Sequence, residues 1–104
     1  MTREELFKMH EEMCKEALVL MKKKNSDYAG SGGTNPFANF TRSEALGICS
    51  TEQSFLVRMT DKMSRLSSFA SKGKLDVEDE SVYDTLIDLI NYSVLLAGYL
   101  KTKK

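Results

Sequence analysis

DVEDESVYDTLIDLINYSVLLAGYLK, residues 76–101, decides the fold. Asp76 reads as an N-cap, and the helix it opens runs from about Val77 to about Lys101. From Leu86 onward, Leu86, Leu89, Ile90, Val94, Leu96 and Leu100 cover nearly every direction around that helix. A helix apolar on most of its faces is normally buried, so other helices must pack on more than one side of it. One line along it is polar instead. Glu80, Asp84, Asp88 and Asn91 follow one another at i, i+4, i+8 and i+11, and the same line then turns into Leu95 and Gly98.

Helices precede it. Ser50 or Thr51 caps a long one that ends at Gly73, with Phe55, Met59, Met63, Leu66 and Ala70 as its apolar stripe. Thr41 with Glu44 reads as a capping box opening a short helix that Gly47 closes. Thr2 with Glu5 opens the first helix, whose apolar set is Leu6, Met9, Met13, Ala17 and Leu20. Lys22, Lys23 and Lys24 suit a helix C-terminus, with Asn25 as its stop. No alternating strand pattern and no internal repeat appears. The expectation is a single all-α domain over residues 1–104, a compact bundle of three long helices and one short, with a Gly-rich loop at 25–40.

Composition narrows the class. Apolar residues make up 41% and charged residues 29%, and the formal net charge is zero. No global field draws this chain to nucleic acid or to an anionic membrane, and neutrality favours self-association. The opening MTREELFKMHEE is too charged for a signal peptide. The uncharged run Leu89 to Leu100 is too short to span a bilayer. A cytoplasmic location and a homodimer or higher homo-oligomer are expected. His10 and Cys14, at i, i+4, make with Cys49 three soft ligands at most, whereas structural zinc takes four. A core or boundary pair is the expected role of His10 and Cys14.

Chemistry is expected on the polar faces. Arg58, Asp61, Lys62 and Arg65 are spaced by threes and fours, which makes one patch on the third helix. It is a solvated face laced by an Asp61–Arg65 pair, or it is a site. Acids at i, i+4 on the last helix repel by roughly 0.2–0.5 kcal/mol per pair even when exposed, so they ask for a cation opposite. Lys62 and Arg65 can supply it, and so can a divalent metal held by Asp84 and Asp88. Lys62 and Arg65 lie one turn apart and can reach a single phosphate cluster, with Arg58 mattering less. In the loop, Gly30, Gly32 and Gly33 permit close backbone approach. They match no Walker A motif, because no Gly-Lys-Ser/Thr is present. Phe37 and Phe40 either anchor the loop in the core or stack on a base. Tyr28 is the better stacking candidate, and Asn39 can read a base or ribose edge. The loop reads as a nucleotide lid.

Three ordered blocks, KNSDYAGSGGTNPFANF (24–40), RMTDKMSRL (58–66) and ESVYDTLIDLINY (80–92), resemble the family called nucleotide modification associated domain 1. The resemblance adds Lys24 and Tyr92 to the candidate site. It implies a small, often phage-encoded protein with a fold similar to the all-α MazG-type NTP pyrophosphohydrolases. Those enzymes hold Mg²⁺ with E-x-x-E on one helix and E-x-x-D on the next. This chain departs from that pattern, having Asp61-Lys62 and Arg65 on one helix, and Thr85 three residues before Asp88 on the other. Lysine and arginine in place of carboxylates exchange a metal clamp for direct phosphate clamps.

The favoured expectation is therefore a nucleotide-binding protein that captures a phosphorylated nucleotide, or a nucleotide-derived signal, without hydrolysis and without a required cofactor. In a phage-type setting, inside the host cytoplasm, that activity would sequester a defence messenger. The alternatives are a Mg²⁺-dependent NTP pyrophosphohydrolase and a structural helical interaction protein.

Overall fold

In the computed structural model, which describes residues 1–28 and 35–103 (the backbone alone for 26–28), four helices follow one another. They are α1 (Arg3–Tyr28), α2 (Ala38–Ala45), α3 (Thr51–Ser71) and α4 (Glu80–Thr102). Among the described residues there is no strand, so the fold is all-α. The apolar α4 is the central element and packs against both α1 and α3, while α2 packs on α3.

The centre is aromatic. Phe55 and Thr51 of α3 are fully buried, and Val82 of α4 is nearly so. The Phe40 ring of α2 stacks on Phe55 with centroids 3.9 Å apart and planes 8° apart. Tyr92 meets Phe40 edge-on at 6.1 Å, and Phe37 meets Tyr99 edge-on at 5.7 Å. Phe37 also reaches Gly98, where a Cβ would lie 3.4 Å from its ring. Phe37 thus ties the entry to α2 to α4, and Phe40 ties α2 itself to α3 and α4.

The caps explain where the helices begin and end. Ser50 accepts a hydrogen bond from the Gln53 amide at 3.1 Å, and the Gln53 side chain accepts from the Ser50 amide at 3.0 Å. That closes a capping box and satisfies two of the orphan donors at the α3 N-terminus. Gly47 and Gly73 follow α2 and α3 at φ +75° and +67°, the left-handed conformation that ends a helix.

Several boundaries differ from the expected ones. The first helix does not stop at Asn25 but continues through Tyr28. Neither Gly nor Pro follows the three lysines before position 30, and asparagine alone does not break a helix. Helix α2 begins at Ala38 rather than after Thr41, with Phe37 as an N-cap that makes no side-chain bond. The Asn35 side chain accepts from the Phe37 amide at 2.9 Å instead, forming an Asx turn. The Thr41–Glu44 capping box does not form. Thr41 donates back to the Ala38 carbonyl, and the Glu44 carboxylate accepts from Thr51 Oγ1 at 2.6 Å. Helix α4 begins at Glu80, capped by Asp79, which accepts from the Ser81 amide at 2.8 Å. Asp76 is diverted into its own two-residue turn by accepting from the Glu78 amide.

The inward stripe of α3 also drifts from the expected one. Met63 and Ala70 are exposed, and Lys62 and Phe69 take the half-buried positions in their place. The contact line runs 55, 59, 62, 66, 69, a spacing that alternates four and three. The expected stripe takes two successive steps of four from 55 to 63, which rotates it off that face. Leu6 of α1 is likewise exposed. His10 and Cys14 do not form a core pair. Both are exposed, with Sγ 3.7 Å from Nδ1 on the surface of α1.

The molecule is elongated. Its radius of gyration is 15.6 Å over 44 × 29 × 27 Å, against about 13 Å for a compact chain of this length. Large apolar side chains stay open to solvent on several elements, among them Val19, Leu46, Ile48, Leu56, Val57, Met63 and Val94. Among the described residues no helix is long and apolar enough to cross a membrane.

Candidate functional site

Helix α1 carries Lys24 to the flank of α4, opposite Asp88. The Lys24 ammonium donates to Asp88 Oδ1 at 3.2 Å, and Lys62 of α3 reaches Oδ2 at 2.9 Å. One carboxylate thereby links three helices, each oxygen engaged by a different lysine. Burial is the largest single influence on Asp88 and by itself would raise its pKa. The hydrogen bonds from Lys62 and Lys24, with their charges, together outweigh it and hold the carboxyl below its usual range. The two lysines differ in role. The Lys62 side chain is 14% exposed, comparable to Asp88 at 15%, whereas Lys24 is 43% exposed. Lys62 is the fixed counterion, and Lys24 is the cation that faces solvent.

Beside this cluster lies a cavity of about 80 Å³ enclosed by α1, α3, α4 and the entry to α2. Met21, Pro36, Phe40 and Leu95 give it apolar walls, while Asn25, Asn39, Asn91 and Tyr92 add neutral polar groups. Lys24, Arg58 and Asp88 complete its lining. Arg58 stacks its guanidinium over the Phe40 ring at 4.9 Å and donates to the Asn39 carbonyl at 3.3 Å. That cation–π contact fixes an otherwise flexible side chain. Asn91 is buried, and its Nδ2 donates to the Ala17 carbonyl of α1 at 3.0 Å.

The expected site therefore divides. Lys24, Asn39, Arg58, Asp88, Asn91 and Tyr92 converge on the cavity. Asp61 and Arg65 do not, since they pair with each other on an exposed face of α3 at 3.6 Å. Lys62 turns inward to Asp88, so Lys62 and Arg65 do not share one cluster as expected. Arg58 is the arginine that the fold places at the cavity. Phe37 packs on Tyr99 and does not line it. Asp84 is exposed, one turn from an Asp88 already held by two lysines. Among the described residues no three Cys, His, Asp or Glu side chains gather as a metal set. The glycines Gly30, Gly32 and Gly33 and the side chain of Tyr28 lie outside the described residues. Met21, Asn25, Asn35, Pro36, Ala38 and Leu95 also line the cavity and were not expected in the site. Leu95 gave a signal, because it continues the line of Asp88 and Asn91, whereas Asn25 was read as a helix stop.

A second α1–α4 link sits on the surface. The Tyr83 hydroxyl donates to the Glu16 carboxylate. This hydrogen bond above all, then burial and the nearby Glu16, Glu12 and Asp84 charges, push the phenol up to about 12. The contact favours the protonated phenol, so its contribution is complete below the ordinary value of 10.0 and is lost as pH rises through about 12. Ultraviolet titration of phenolate formation should show one late-ionising tyrosine. Glu16→Gln should bring that step back toward the ordinary value; an unchanged titration would remove Glu16 as its cause.

Residues 24–97 match the family described as nucleotide modification associated domain 1, and the chain belongs to that family. The match begins at Lys24 and takes in the whole lining of the cavity except Met21. No curated protein and no solved structure matches the chain.

Proposed function

We propose that this protein binds a phosphorylated nucleotide, or a nucleotide-derived signal, at the α1–α3–α4 cavity and holds it without turnover. The observation that carries the reading is the lining itself, in which two cations at the edge, Lys24 and Arg58, flank aromatic and amide groups. Cations supply charge-assisted contacts to phosphate, and aromatic faces with amides suit a base. Lys24 and Arg58 act as direct cations, so phosphate binding here requires no metal. Membership of a family whose description concerns nucleotide modification supports the ligand class. In a phage-type protein of the host cytoplasm, such binding would sequester a defence messenger. The exposed apolar residues of α3 and the turn before it, Leu46, Ile48, Leu56 and Val57, support assembly into a homo-oligomer.

Titration calorimetry with a nucleotide panel tests the reading residue by residue. Arg58→Ala should weaken binding about tenfold or more, as expected for loss of a charged contact worth roughly 1.5–3 kcal/mol. Arg65→Ala should change it little, because Arg65 faces solvent beside Asp61. Equal losses in the two variants would move the phosphate site off the cavity. Binding that requires Mg²⁺, with a monophosphate and pyrophosphate as products, would instead establish the related hydrolase activity.

A further inference from the structure

The enclosed space is small compared with a nucleotide. At roughly 10–15 Å³ per water in this measure, 80 Å³ holds about six waters, the bulk of one heteroaromatic ring. Pockets that engulf a whole drug-sized ligand run to about 300–1,000 Å³. Only one part of a nucleotide enters, either the base or the phosphate, and the lining decides between them.

A phosphate in the interior would press against Met21, Leu95 and Phe40 with the Asp88 carboxylate in the same wall. Apolar surface gives its oxygens no hydrogen bonds, and the Lys24 and Lys62 charges are already shared with Asp88. A base meets the opposite conditions. Its faces match the apolar walls, and its polar edge matches the amides. Asn91 makes the match directional. It is only 8% exposed, and its Nδ2 is committed to the Ala17 carbonyl. That bond uses one of the two Nδ2 hydrogens, and among the described residues no donor reaches Oδ1, so this acceptor is open to an N–H of a ligand edge. The cations of the lining are among its solvent-facing members. Lys24 is nearly half exposed, and the Arg58 guanidinium lies on the outer face of the Phe40–Phe55 stack.

Building on the nucleotide reading, we infer that the cavity takes the nucleobase, with an N–H of its edge on Asn91 Oδ1, and leaves the phosphate at the rim with Lys24 and Arg58. Recognition is then by base first. The amides and the buried acceptor select among bases, and the rim cations add affinity for whatever phosphate the nucleoside carries.

Wild-type protein is titrated with a full set of nucleosides, their 5′-phosphates, ribose 5-phosphate and inorganic phosphate. Methyl NMR signals of Met21 and Leu95 are followed throughout. At least one nucleoside should bind, about ten- to a hundredfold more weakly than its 5′-phosphate given the lost charged contacts. Its ring should displace the Met21 and Leu95 methyl signals. Ribose 5-phosphate should bind more weakly than that nucleoside and leave both methyls in place. Ribose 5-phosphate that binds as tightly as the nucleotide, with no nucleoside binding, would put the phosphate inside and overturn the inference while nucleotide capture stands. A nucleoside that binds without moving either methyl would overturn it as well. Failure of every 5′-phosphate to bind would remove the nucleotide reading and this inference together.

Discussion

Phe55→Ala should lower the free energy of unfolding by about 4 kcal/mol, the usual cost of deleting a fully enclosed aromatic side chain. Phe55 has no exposed surface, carries the Phe40 ring on its face and leans on Tyr99 at 6.0 Å. Its removal therefore leaves a void among rings that cannot collapse without shifting α2. Domains of this size have roughly 5–15 kcal/mol in total, so the variant should approach the edge of folding. At about 4–8 °C per kcal/mol the melting temperature should fall by at least 15 °C. Because Phe40 is also a wall of the cavity and the platform for Arg58, ligand binding should weaken in the same variant. Phe55→Leu keeps most of the volume and should recover more than half of both losses. Thermal and chemical denaturation of the three proteins checks this; a loss below about 1 kcal/mol would mean that the aromatic stack is not the centre of the core.

Asp88→Asn should cost about 2–3 kcal/mol, less than the 3–5 typical of a fully buried broken pair because some solvent reaches the site. The damage comes from Lys62, whose nearly buried ammonium would lose its counterion. Lys24→Ala should cost under about 1 kcal/mol, since Lys24 is partly solvated and Lys62 remains to neutralise the carboxylate. Replacing both buried charges, as Asp88→Leu with Lys62→Met, should recover most of the loss, because no unpaired charge is left. The sign of the pH dependence follows from the depressed Asp88 pKa. Its stabilisation is complete above the ordinary value of 3.8 and is lost as pH falls below that toward the folded-state value. Wild type should lose this contribution on acidification, whereas the asparagine variant should lack it at every pH. Identical acid unfolding of the two proteins would show that the three-helix ion cluster contributes nothing.

The same residue shows what the sequence could reveal. The i, i+4 spacing of Glu80, Asp84 and Asp88 on an apolar helix called for cations opposite, and Lys62 is one of them. Lys24 entered the site only through the family resemblance, because three consecutive lysines otherwise look like a helix end and its pairing with Asp88 is a contact between distant helices. The choice between Arg58 and Arg65 was also not legible. Spacing places both on one broad face of α3, but which edge of that face meets α2 depends on Phe40 stacking on Phe55. Helix count and the Ser50, Gly47 and Gly73 boundaries were readable because caps are local chemistry. The start of α4 was not, because Asp76 and Asp79 both suit a cap and the sequence does not say which bends into a turn. The cavity depends on four elements meeting, so its membership could be drawn only in part. Asn91 was marked by its place in the polar line, but its bond to Ala17 was not foreseeable.

Native mass spectrometry of the protein with a nucleotide panel, in Mg²⁺ and in EDTA, tests the central claim most directly when the released small molecule is then identified. Capture predicts a mass increment for one or more nucleotides in EDTA as well as in Mg²⁺, and an intact ligand on release. An increment that appears only with Mg²⁺, or release of a monophosphate with pyrophosphate, would contradict it.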